Sequence, residues 1–223
     1  MKILIINPNS DPEMTRTIEA AGRAFAAGEF DVECRATPGA PRFIETYEDQ
    51  ALAAPGMTGL LRENHEAFEA FVVACHCDPN LDLMKEISRK PVVGIGEASM
   101  KMATMLGHRF SVVSTDAHSV PNKEALVEKY HLRNDLASVR APAETGADDG
   151  LEDTFYRTAK AAMDEDGAEV IVLGCAGLAG LDKRLQARLG VPVLDGVVCA
   201  LVIAAGLAKY GVSTSKARRY SPD

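Results

Sequence analysis

Phe71-Val72-Val73-Ala74-Cys75 and Val170-Ile171-Val172-Leu173-Gly174-Cys175 are two short apolar runs, one in each half of the chain, and each ends on a cysteine. Unbroken runs of four or five apolar, largely β-branched residues bounded by turn formers read as strands buried on both faces, the signature of a parallel sheet covered by helices. Ligands of such sheets collect at the carboxyl ends of the strands. Both thiols are therefore expected at a sheet edge where a ligand could sit.

Working outward from these runs, strand-like segments alternate with stretches of helical period. In the first half we expect strands at Lys2 to Ile6, Phe30 to Ala36, Phe71 to Ala74 and Pro91 to Ile95. Helices are expected at Pro12 to Ala27, Asp49 to Ala67 and Pro79 to Ser88. The second half repeats the pattern, with strands at Phe110 to Ser114, Leu136 to Arg140, Glu169 to Leu173 and Val191 to Leu194. Its helices are expected at Glu97 to Leu106, Ser119 to Tyr130, Gly150 to Glu165, Leu178 to Leu189 and Gly196 to Tyr210. Such alternation is the mark of βαβ units. The two cysteines are followed by comparable stretches, Lys90-Pro91-Val92-Val93-Gly94-Ile95 and Gly190-Val191-Pro192-Val193-Leu194-Asp195, so the halves read as structural duplicates. The fold class is α/β, with a first lobe over 1–95, completed by 206–223, and a second lobe over 96–205.

The bulk numbers narrow the function. At 47% hydrophobic and 25% charged residues, the 223-residue chain has the composition of a folded globular protein rather than a disordered one. Its net charge of −8 and scattered basic residues leave no footprint for nucleic acid. No apolar run approaches the roughly 18 residues or more of a membrane span, and Met1 to Asn7 reads as a strand rather than an export signal. A cytoplasmic protein acting on a small molecule is expected. Five cysteines in that setting serve packing, metals or catalysis rather than disulfides.

Cys75 precedes His76-Cys77-Asp78-Pro79, which reads as a strand end, a turn, an Asp cap and a Pro at the first helical position. A nearby helix N-terminus would favour the thiolate of Cys75. Cys175 precedes Ala176-Gly177-Leu178, small residues that let backbone amides approach a ligand. A thiolate and a thiol facing one substrate could remove a proton beside a carbonyl and return one to the opposite face. Asn7-Pro8-Asn9-Ser10 closes the first strand, and Ser114-Thr115 closes the strand that begins the second half; both offer polar groups at the same edge. Each of these two turns reads equally well as a helix cap.

Several other motifs lead nowhere. The adjacent residues Cys75, His76 and Cys77 cannot easily converge on one tetrahedral ion, so no metal is expected. Gly94-Ile95-Gly96-Glu97-Ala98-Ser99 lacks the third glycine of a dinucleotide site, and turn geometry accounts for the two that remain. Cys34 and Cys199 read as packing residues, His108, His118 and His131 as solvated, and His65 as part of a charged helix face.

Taken together, Ile6 to Ser10, Ala74-Cys75 through Pro79, Pro91 to Ala98, Arg109 to Val113, Leu173 to Leu178 and Val191 to Val197 resemble the hydantoin and allantoin racemases of the aspartate/glutamate racemase superfamily. The resemblance covers nearly the whole chain. It implies two pseudo-symmetric parallel-sheet lobes with the active site in the cleft between them. It implies a cofactor-independent, two-base proton transfer by Cys75 and Cys175 at the stereocentre of a 5-substituted hydantoin or related ureide. Asn7, Asn9, Ser10, His76, Cys77, Ser114, Thr115, Ala176 and Gly177 are the residues expected to hold the substrate, and a homo-oligomer is expected. The chain departs from the family where Phe-Gly usually follows the first cysteine, having His76-Cys77 instead, and in the loop Ala40 to Glu45. An aspartate or glutamate racemase, a maleate isomerase and a non-catalytic small-molecule-binding protein are the alternatives.

Overall fold

The first strand, β1 (Lys2–Asn7), forms because four consecutive apolar residues, Ile3 to Ile6, can all be buried at once, two on each face of a sheet. In the computed structural model, which describes residues 1–142 and 150–221, Ile3 and Ile5 point into one core and Leu4 and Ile6 into another. The remaining strands of this sheet are β2 (Asp31–Ala36), β3 (Ala70–Val73) and β4 (Val92–Gly94), in the order β2-β1-β3-β4 with every pair parallel. Its helices are α1 (Pro12–Ala26), capped by Asp11, α2 (Tyr47–Asn64), opened by a Thr46–Asp49 capping box, and the short α3 (Leu81–Ile87).

The second half builds the same object. Strands β5 (Phe110–Val113), β6 (Leu136–Arg140), β7 (Val170–Leu173) and β8 (Val193–Leu194) take the order β6-β5-β7-β8, again all parallel. Phe110, Val112, Val170 and Val172 face one core, while Val113, Ile171 and Leu173 face the other. Helix α5 (Val120–Lys129) packs on the first of these faces, and α6 (Leu151–Asp166) and α7 (Asp182–Leu189) on the second. The chain is thus an α/β protein of two like-wound four-stranded sheets.

The two remaining helices are exchanged between the sheets. α4 (Ile95–Leu106) follows β4 of the first sheet but presses Met100 and Ala103 onto the second. α8 (Gly196–Tyr210) follows β8 of the second sheet but buries Cys199, Ala200, Leu201 and Ala204 in the core of the first. α4 and α8 also pack on each other. Their starts come so close that a Cβ on Gly196 would lie 3.1 Å from Ile95 Cβ. Burying a side chain such as Leu201 contributes about 1.5–3 kcal/mol, and here that energy holds one half against the other. α8 is a single helix running through position 205, and 222–223 lie outside the described residues.

Several local readings change. Asp78 does not cap a helix beginning at Pro79: α3 starts at Leu81 after Asn80, and Asp78 and Asn80 both have positive φ. After Cys175 the chain makes a 3-10 turn, Ala176–Leu178, and the regular helix waits until Asp182. Gly94 and Gly96 answer close approach rather than turn geometry. A Cβ at Gly94 would lie 2.3 Å from Asp78 Oδ1, and one at Gly96 would lie 2.8 Å from the His76 carbonyl oxygen. No helix among the described residues is long and apolar enough to cross a membrane.

Candidate active site

β3 and β7 are each one of the two inner strands of their sheet, and their carboxyl ends deliver Cys75 and Cys175 to one cleft of about 420 Å³. Both cysteines are half-buried there. The register explains the placement: Ile6 pairs with Val73 and Val113 with Leu173, so the turns after β1, β3, β5 and β7 share one side of the molecule.

The surroundings of the two sulfurs differ. Cys75 Sγ lies 3.3 Å from Cys77 Sγ. The Cys77 thiol, donating to it, pulls the Cys75 pKa below the ordinary thiol range against the effect of burial, and the Lys123 ammonium adds to the pull. The shared proton stays with Cys77, whose own pKa is raised by that bond and by burial. Cys175 has one donor, the Gly177 amide at 3.4 Å, and its pKa is raised by desolvation, with the charge of Cys75 adding to the rise. Their surroundings thus push the two sulfurs in opposite directions, Cys75 toward the thiolate and Cys175 toward the thiol.

Asp78 fixes the Cys75 turn. Its carboxylate accepts from the amides of Gly96 (3.0 Å) and Glu97 (2.6 Å) at the start of α4, and from the Tyr130 hydroxyl (2.6 Å) at the end of α5. Burial raises its pKa to about 6, and those three donors restrain the rise. His76 is buried; its Nε2 lies 3.2 Å from Ser99 Oγ, which donates its own hydrogen to the Ile95 carbonyl at 2.7 Å. Nε2 is therefore the protonated nitrogen, and Nδ1 has no partner among the described residues. Burial and the nearby Lys123 keep this imidazole neutral.

Of the residues expected to hold a ligand, Asn9, His76, Cys77, Ser114, Thr115 and Ala176 line the cleft together with the two cysteines. Asn7, Ser10 and Gly177 do not. The buried Asn7 amide is taken up in bonds to Asn9 Oδ1 (2.7 Å) and Thr15 Oγ1 (2.9 Å), and so positions Asn9. Ser10 is exposed and spends its backbone amide on the Pro41 carbonyl, while the Gly177 amide points back to Cys175.

The wall also includes the loop already noted as a departure from the family, and two residues not expected to line a ligand site, His118 and Lys123. Phe43, Ile44 and Glu45 arrive on the loop after β2, held down by the Ser10–Pro41 bond and by Arg42 on Asp11 at 3.2 Å. His118 is exposed as expected, but at the rim of the cleft. Lys123 of α5 lines the cleft and is only 6% exposed. The signal for it was present: Lys123, Leu126 and Val127 form the inward face of one helix, and a lysine on such a face needs a reason. Among the described residues no three His, Cys, Asp or Glu side chains are grouped so as to hold a metal ion.

With this geometry in view, the likeness to known proteins can be stated. Residues 3–204 match the family model described as Asp/Glu/Hydantoin racemase. A hydantoin racemase of Pseudomonas sp. (strain NS671) is 37% identical over 99% of this chain and 91% of its own length. A hydantoin racemase of Rhizobium meliloti is also 37% identical, over 99% of this chain and 94% of its own. The solved structure of allantoin racemase from Klebsiella pneumoniae superposes with a TM-score of 0.93 at 35% identity, covering 100% of this chain and 94% of that one. The chain belongs to the Asp/Glu/hydantoin racemase family, and its enzyme class is that of an isomerase.

Proposed function

We propose that the protein racemises a 5-substituted hydantoin or a related ureide without a cofactor, by passing protons between the substrate carbon and the thiols of Cys75 and Cys175. The observation that carries this reading is the arrival of both cysteines in one cleft from matching places in two like-wound sheets. The stereogenic carbon of such a ring lies between a carbonyl and a ureide nitrogen, and its C–H is acidic enough for a thiolate to deprotonate once water is excluded, because the carbonyl takes up the electron pair. Cys75, held as thiolate by the Cys77 thiol, takes the proton from one face. Cys175, held as thiol, gives its proton to the other. The polar groups of Asn9, Ser114 and Thr115 and the backbone around the cysteines orient the ring. A cytoplasmic homo-oligomer is the form we propose for it.

Loss of optical rotation tests the reading on a panel of single-enantiomer 5-substituted hydantoins, allantoin, aspartate and glutamate, with conversion of maleate followed alongside. The expected result is decay of rotation for a hydantoin or allantoin with no added metal or nucleotide. Turnover of the acidic amino acids or maleate alone would overturn the substrate assignment, and inertness toward the whole panel would overturn the racemase.

A further inference from the structure

Lys123 presents a buried cation with no counter-ion among the described residues. Its side chain is 6% exposed on the inward face of α5 and lines the cleft beside both catalytic sulfurs. Among the described residues no carboxylate pairs with its ammonium and no hydrogen bond engages it. An unpaired buried ammonium costs several kcal/mol. The groups on which it acts are Cys75, His76, Cys77 and Cys175. His76 is neutral and Cys77 keeps its proton, so the remaining partners are the two sulfurs and whatever lies between them.

Two-base racemisation moves one negative charge through this space. When the C–H bond of the stereocentre breaks, the proton forms an S–H bond at Cys75 and the electron pair passes to the adjacent carbonyl oxygen. When Cys175 delivers its proton to the opposite face, the pair returns to carbon and the charge settles on Cys175 sulfur. A single cation facing all three stations would be compensated throughout the cycle, and it would favour the middle, least stable one most.

Resting on the racemase reading above, we propose that Lys123 is a further catalytic residue. Its ammonium receives the carbonyl oxygen of the carbanionic intermediate and stays beside the negative charge as that charge travels from Cys75 through the substrate to Cys175. The role asks for a substrate with a carbonyl next to its stereocentre.

The test compares the full-length protein with its Lys123→Met and Lys123→Arg variants. Racemisation of a 5-alkylhydantoin is measured against pH, together with thiolate absorbance near 240 nm. The other titratable groups around the cleft are His76, Cys77, Glu45, Asp116 and His118. All are unchanged in the variants, so the thiolate titration isolates the cysteines. Removal of the charge should lower kcat about 10²- to 10³-fold, and the loss should persist at pH values where the absorbance shows Cys75 ionised. The arginine variant should recover most of the rate. Two results would overturn the proposal: Lys123→Met returning to wild-type rates once the thiolate has formed, which makes the lysine only a counter-ion of Cys75, or Arg failing as badly as Met in a folded protein. A wild type inert toward the 5-alkylhydantoin and toward every other compound of the panel above would instead overturn the racemase reading itself.

Discussion

The two ends of the cleft are built on the same strand order yet wired in opposite senses. At the Cys75 end, a carboxylate from the cysteine turn itself, Asp78, reaches out to cap the helix that follows the fourth strand. At the Cys175 end, the carboxylate belongs to the end of the fourth strand. Asp195 caps its own helix through Val197 N at 2.7 Å and reaches back to the cysteine turn at Gly180 N, 3.1 Å away. Both arrangements lock a cysteine turn to the start of an exchanged helix. They differ in what is left for the sulfur. Cys75 receives a second thiol, whereas Cys175 receives a backbone amide, and the field of Lys123 reaches both sulfurs. A duplicated scaffold can thus hold two identical side chains in two protonation states, with the difference supplied by neighbours that only one half carries.

Removing either sulfur gives the largest expected effect. Cys75→Ala and Cys175→Ala should each lower racemisation by at least about 10³-fold, the scale of a lost general acid or base, measured by polarimetry. If one variant kept near-normal turnover, the pairing of the two ends would be broken.

The comparison is sharpened by Cys77, whose thiol has no counterpart beside Cys175. A hydrogen bond to a charged group contributes about 1.5–3 kcal/mol. Cys77→Ala should therefore raise the Cys75 pKa and cost about tenfold in kcat/KM at neutral pH. The sign is fixed: the acidic limb of the pH profile moves upward, activity returns in alkaline solution, and Cys77→Ser restores part of it. An unmoved limb would mean that Cys77 does not tune Cys75.

A smaller effect is expected from Tyr130→Phe, which removes one of the three donors to Asp78. The folded pKa of Asp78, about 6, lies above its unfolded value, so the stability it contributes is present below pH 4 and is lost as the pH rises through 6. Loss of the hydroxyl raises that pKa further. The variant should lose about 1–2 kcal/mol in urea unfolding at pH 7.5 and progressively less as the pH is lowered to 4. An equal loss at every pH would show that the hydroxyl does not serve the ionised carboxylate.

Much of this architecture is legible in the sequence because Ile3 to Ile6, Phe71 to Val73 and Val170 to Leu173 are short, largely β-branched apolar runs bounded by turn formers, which read as buried strands. The cysteines follow from those strands by adjacency. What sequence reading mistakes is anything whose partner is distant. Asp78-Pro79 has the form of a local helix cap, yet its carboxylate is claimed by amides of residues 96 and 97 and by Tyr130. Gly94 and Gly96 look like turn residues, but they are small because Asp78 and the His76 carbonyl lie against them. Asn7 reads as well for a cap as for a ligand contact, and its amide donates to Asn9. Lys123 is hidden by its type, since a lysine on an amphipathic helix is ordinarily assigned to the solvent face.

The central claim is that one substrate carbon lies between two thiols that start the cycle in different states. Deuterium exchange from solvent tests it most directly, with each single-cysteine variant and each enantiomer of the hydantoin followed separately by NMR. The account predicts that Cys175→Ala exchanges the C–H of one enantiomer only, with its configuration retained, because the Cys75 thiolate reaches a single face. Cys75→Ala, left with a protonated Cys175, should exchange neither at neutral pH. Exchange of both enantiomers by either variant would contradict it.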